Sequence, residues 1–127
     1  MMDVSPEDFE QLVAQTLDTL PEPFASKLQN VQIVVADEPS FDDLSRAGVP
    51  AGATLLGLYQ GVPQTQRNAN YTWVLPDKIT IYRGPLMRAS FDADDVRERV
   101  RTTVIHEIAH HFGISDERLH EVKRGAR

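Results

Sequence analysis

Five residues in the last third of the chain, His106-Glu107-Ile108-Ala109-His110, read H-E-x-x-H. In a helix each residue turns by about 100°, so positions four apart lie about 40° apart around the axis and one turn apart along it. Both imidazoles then project from one face and can share one metal ion, at the ~2.0–2.1 Å that zinc keeps from a nitrogen ligand. Glu107 sits further round the helix, too far to replace a ligand yet near enough to hydrogen-bond a water at the metal. Zinc acidifies such a water, and Glu107 can take its proton as the water attacks a carbonyl, then protonate the leaving amine. The chemistry is metal-assisted hydrolysis, with His106 and His110 as ligands and Glu107 as general base.

Two helical ligands fall short of the three protein ligands usual at a catalytic zinc. Gly113 and Asp116 extend the pattern to H-E-x-x-H-x-x-G-x-x-D. Gly113 can take the left-handed conformation that breaks the helix and turns the chain back. Asp116 is then the candidate third ligand, leaving a fourth position for water and substrate. An acid at Asp116 also suits the start of a following helix whatever the metal, and Glu117, His120 and Glu121 are further donors in reach. His111 points elsewhere on the helix and reads as a supporting or surface residue. By average composition H-E-x-x-H arises by chance in roughly a few chains per thousand of this length, and with the Gly and Asp in about one in 10⁵. Two imidazoles and a carboxylate suit one Zn2+.

The elements that must hold these residues are legible around them. Asp92, Asp94 and Asp95 open a helix expected from Asp92 to Phe112, where the dipole favours acids. Val96, Val100, Val104, Ile108 and Phe112 recur at intervals of four, and Val104, Ile105, Ile108, Ala109 and Phe112 form an apolar arc opposite the histidines. Ser115 reads as the cap of a last short helix. At the other end of the chain, Ser5-Pro6-Glu7-Asp8 starts a helix with the apolar stripe Phe9, Leu12, Val13, Thr16, Leu17 and Leu20, which Pro21 and Pro23 stop. Val31 to Val35, Leu55 to Tyr59 and Ile79 to Tyr82 read as strands, the last bounded by Gly84-Pro85. The rest of Pro39 to Asn70 is rich in turn residues, and Gln64 to Tyr71 reads as a loop. The pattern is α+β.

The chain has 127 residues, enough for one domain with a small core, expected over 1–127. A formal charge of −6 suits neither nucleic acid nor an anionic membrane surface. The arginines between Arg97 and Arg101 are interleaved with acid and read as a solvated helix face. With no cysteine, neither disulfides nor a thiolate zinc site is available. No stretch has the pattern of a secretion signal or a membrane span, so the expected location is cytoplasmic.

The run from His106 to Arg118, with Leu55 to Pro63 and Leu75 to Pro85, resembles the small zincin-like metallopeptidases of bacteria, the mini-zincins. These segments cover roughly a quarter of the chain, and the third ligand makes the motif similar to that of Asp-zincins. The resemblance implies a minimal zincin fold: a short mixed sheet with an N-terminal helix, a long active-site helix and a short C-terminal helix. It implies a zinc metallopeptidase whose peptide or protein substrate pairs with an edge strand. By that analogy Ile79, Ile81 and Tyr82 belong to the candidate substrate-binding strand, though a neighbouring segment could serve instead. Tyr59 and Tyr82 are candidate oxyanion donors, with packing the competing role. Metzincins carry a methionine turn after the motif, whereas Met87, the last methionine here, precedes it. A second copy of the chain, as a homodimer, is a candidate to complete the cleft. The alternative function is a zinc-binding interaction or regulatory module without hydrolysis.

Overall fold

Local chemistry starts the first helix where the residue types predict. In the computed structural model, which describes residues 4–50, 52–61 and 76–113, Ser5 Oγ accepts from the Asp8 N–H at 3.2 Å and Pro6 takes the first position of α1 (Pro6–Leu17). The helix ends before either proline is reached. Thr19 and Leu20 donate to carbonyls three residues back, and Leu20, preceding Pro21, is disfavoured from the α conformation. Then come α2 (Phe24–Lys27), a 3-10 turn (Leu28–Asn30), β1 (Val31–Ala36), α3 (Phe41–Ala47), β2 (Gly57–Gln60), β3 (Asp77–Tyr82), α4 (Arg83–Arg88) and α5 (Ala93–Phe112).

The three strands form one mixed sheet in the order β1-β3-β2. β1 runs parallel to β3, from Val31↔Asp77 to Ala36↔Tyr82, and β2 runs antiparallel, from Gly57↔Ile81 to Gln60↔Lys78. The mixed α+β architecture is the one expected. The assignment of Ile79 to Tyr82 as an edge strand is not. β3 is the central strand, its backbone engaged on both sides and Ile79, Ile81 and Tyr82 buried. The reason is apolar content: two isoleucines and a tyrosine bury most surface where strands flank them on both sides, at about 1.5–3 kcal/mol for each large side chain. The outer strand nearest α5 is β2.

Helix α5 packs against this sheet with the periodicity read from the sequence. Val96, Val100, Val104 and Ile108 are completely buried and share one core with Phe9 and Val13 of α1, Ile79 and Ile81. Phe112 departs from the expected arc: it is 46% exposed, with Lys27 Nζ 4.2 Å above its ring.

Two helices lie where turns were expected. α3 starts on a reciprocal capping box between Ser40 and Asp43, with bonds of 3.0 and 3.2 Å, and ends on left-handed Gly48. It buries no residue fully and so has no apolar stripe to announce it, although Ser40-x-x-Asp43 was a readable start signal. α4 absorbs Gly84-Pro85 into its first turn, where proline's missing N–H costs nothing. Gly84 donates to the Asp37 carbonyl at 2.8 Å, and a Cβ on it would stand 2.8 Å from that oxygen, so the β1–α3 turn can approach only a glycine. The Gln64 to Tyr71 loop and the short helix expected from Ser115 lie outside the described residues. Among those described, no helix is long and apolar enough to cross a membrane.

Candidate active site

Strand β2 and helix α5 run side by side, parallel and in step. A Cβ on Gly57 would stand 2.6 Å from Thr103 Cγ2, the Tyr59 N–H donates to Glu107 Oε1 at 2.8 Å, and a Cβ on Gly61 would stand 3.1 Å from His111 Cε1. Two strand residues advance about 6.8 Å and four helical residues about 6 Å, so the match holds over the three contacts. Glycine at 57 and 61 lets strand and helix come this close.

The ladder decides which groups β2 turns outward. Tyr82 donates its N–H to the Leu56 carbonyl, so 56/82, 58/80 and 60/78 are the hydrogen-bonded pairs, and the backbone groups of Gly57 and Tyr59 point away from β3. Glu107 meets the strand there. No further strand flanks β2 among the described residues. A cleft of about 490 Å³ opens between residues 54–57 and the α5 side chains from Asp95 to Glu107, including Arg99, Thr102, Thr103 and His106.

His106 is half-buried, with Nδ1 2.9 Å from the Thr102 carbonyl. A carbonyl only accepts, so the bond requires the proton on Nδ1 and leaves the Nε2 lone pair for a metal. His110 lies one turn on and is exposed. Gly113 adopts the left-handed conformation expected of it, with φ 69°. Asp116 and the other donors weighed with it, Glu117, His120 and Glu121, lie outside the described residues. Among the described residues no group of three or more His, Asp or Glu side chains is gathered for a metal. What fits zinc is the donor chemistry of His106 and His110 and the tautomer that the Thr102 carbonyl imposes.

The tyrosines are committed elsewhere. Tyr82 donates its hydroxyl to Asp43 Oδ2 at 2.8 Å. Burial above all, then the Asp43 bond and the charges of Asp43 and Glu107, push its pKa well above the ordinary tyrosine value. In return the Tyr82 hydroxyl holds the Asp43 carboxyl below its usual range. Tyr59 donates its hydroxyl to Asp77 Oδ2 at 2.7 Å, and its ring stacks on His111 with centroids 4.0 Å apart. Ile79 and Ile81 stay in the core.

Some cleft residues escaped the sequence reading. Arg99 belonged to the arginine cluster taken for a solvated face. Arg97 does pair in the open with Asp94 at 2.8 Å, but Arg99 lines the cleft, its buried Nε 3.6 Å from Asp95 Oδ1 and without a hydrogen-bond partner. Arg99, Thr102 and Thr103 precede His106 by seven, four and three residues, and that helical spacing was the available signal. The backbone N–H of Tyr59 had none.

Comparison with known proteins bears on the family and the fold. The family model described as zincin-like metallopeptidase matches residues 28–126. Among solved structures, a conserved hypothetical protein from Thermo thermophilus superposes with a TM-score of 0.54 at 23% identity, over 86% of this chain and 94% of that one. This likeness is one of fold. The comparison with curated proteins gives no match. With the match spanning most of the length and including the whole H-E-x-x-H helix, the chain belongs to the zincin-like metallopeptidase family.

Proposed function

We propose that this chain is a zinc-dependent peptidase in which His106 and His110 hold the metal, Asp116 completes the ligand set and Glu107 is the general base. The observation that carries the reading is the seat of Glu107: its carboxylate lies in the cleft, beside the first histidine and against the outward face of β2. When bound, zinc supplies Lewis acidity, lowering the pKa of water and polarising a carbonyl.

The chain's own residues do the rest. The N–H and carbonyl of Gly57 point outward from β2 and are the groups an extended peptide pairs with, aligning its backbone along the cleft. Glu107 keeps Oε1 on the Tyr59 N–H and uses Oε2 to take the proton of the attacking water. As the new C–O bond forms and the C–N bond breaks, the same oxygen returns that proton to the departing nitrogen. The Thr102 carbonyl holds the His106 ring throughout.

The test pairs two variants, measured by metal analysis and by digestion of a library of unstructured peptides. Glu107→Gln keeps zinc and loses turnover, by about 10²-fold or more, whereas His106→Ala loses both. Turnover undiminished in Glu107→Gln, or zinc retained in His106→Ala, overturns the assignment.

A further inference from the structure

One residue, Tyr59, joins strand β2 to Glu107, to the last turn of α5 and to the start of β3. Tyr59 gives its backbone N–H to Glu107 Oε1 at 2.8 Å. Its ring lies on His111, with centroids 4.0 Å apart and planes 19° from parallel, and meets Phe112 edge-on at 6.5 Å. Its hydroxyl donates to Asp77 Oδ2 at 2.7 Å, at the first residue of the central strand, and that oxygen lies 3.8 Å from His111 Nε2. A strand held from one side only by its ladder shifts easily, and a hydrogen bond weakens steeply when its donor turns away. Here the ring, the hydroxyl and the ladder fix the plane in which this N–H points.

We infer that Tyr59 is a positioning residue for the general base: its side chain locks β2 against the last turn of α5, and its backbone N–H holds one oxygen of Glu107 so that the other faces the reacting water. The geometry demands an aromatic ring at 59, with a hydroxyl as a second anchor. The inference rests on Glu107 being the base, so its tests include one that needs no catalysis.

Hydrogen exchange on the full chain supplies that test. The amide of residue 59 points away from the ladder, so exchange protection there reports the Glu107 bond. It is protected in the native chain and exposed in Glu107→Ala and in Tyr59→Ala, while the amide of Leu58, inside the ladder, stays protected in all three. An unprotected residue 59 in the native chain, or protection that survives Tyr59→Ala, overturns the inference. Loss of protection at Leu58 in Tyr59→Ala would mean that the ring merely holds the sheet together, and overturns it as well.

Kinetics supply the second. In the zinc-loaded enzyme Tyr59→Ala lowers kcat by about 10²-fold with KM nearly unchanged, and Tyr59→Phe, which keeps the stack, recovers most of it. In the Glu107→Gln background Tyr59→Ala has no further effect, since it acts through that carboxylate. A native kcat in Tyr59→Ala beside an inactive Glu107→Gln sinks the positioning role alone. An active Glu107→Gln sinks the base.

Discussion

Gly57 shows how much one hydrogen atom decides at the residue scale. β2 passes close to α5 there, and a methyl on it would meet Thr103 Cγ2 at 2.6 Å and the Thr80 carbonyl at 3.2 Å. Gly57→Ala is therefore expected to destabilise the chain by about 1–3 kcal/mol, the usual cost of overpacking. The loss should appear as a lower midpoint in urea, with unchanged slope. Thr103→Ser removes the offending carbon and should restore much of the loss in the double variant. If the two changes simply add, strand and helix are not in contact there. Motif geometry supplied His106, Glu107 and His110 because all three sit on one local helix. Gly57 and the backbone N–H of Tyr59 had no such signal, because their importance comes from a partner brought up by the tertiary fold.

At the scale of elements, α3 and β3 are joined by the bond between the Tyr82 hydroxyl and Asp43. Asp43 also closes the capping box that starts α3. Its carboxyl is held below the ordinary value, chiefly by Tyr82. A group with a depressed folded pKa adds stability above its unfolded pKa and loses it as the pH falls through the folded one. Tyr82→Phe removes the main cause of the depression, so the acid-unfolding midpoint should move to higher pH, followed by far-ultraviolet circular dichroism. A midpoint that stays in place would show that the bond does not form in solution. The strand periodicity of Ile79 to Tyr82 was plain in the sequence, but its place in the sheet was not. Alternation says that a strand has a buried face, whereas order depends on which neighbours pair with it, and β1 is 46 residues away by register.

For the whole molecule, zinc should act as a clamp on the native state. The unfolded chain lacks the helix that sets His106 and His110 one turn apart, so a metal held by the proposed site would favour the folded form. Free zinc at a hundred times its dissociation constant adds about 2.7 kcal/mol of stability, which for a chain of this size raises the unfolding temperature by several degrees. Differential scanning calorimetry with zinc, then with excess chelator, measures it, and His106→Ala should be insensitive to both. A melting temperature indifferent to zinc in the native chain would rule out the metal site.

What the sequence determined by itself is the motif and the local frame: the H-E-x-x-H pair on one helical face, the apolar repeat from Val96 to Ile108 on the other, the glycine that ends the helix and the serine that starts α1. All of these depend on periodicity and on caps, which act within a turn or two of the chain. The tertiary structure alone decided that β3 is central, that β2 lies against α5 in step with it, and that the Tyr59 N–H reaches Glu107 across 48 residues of sequence. Those outcomes come from close packing between distant segments, where the absence of a single Cβ at Gly57 sets how near Glu107 can stand to the strand.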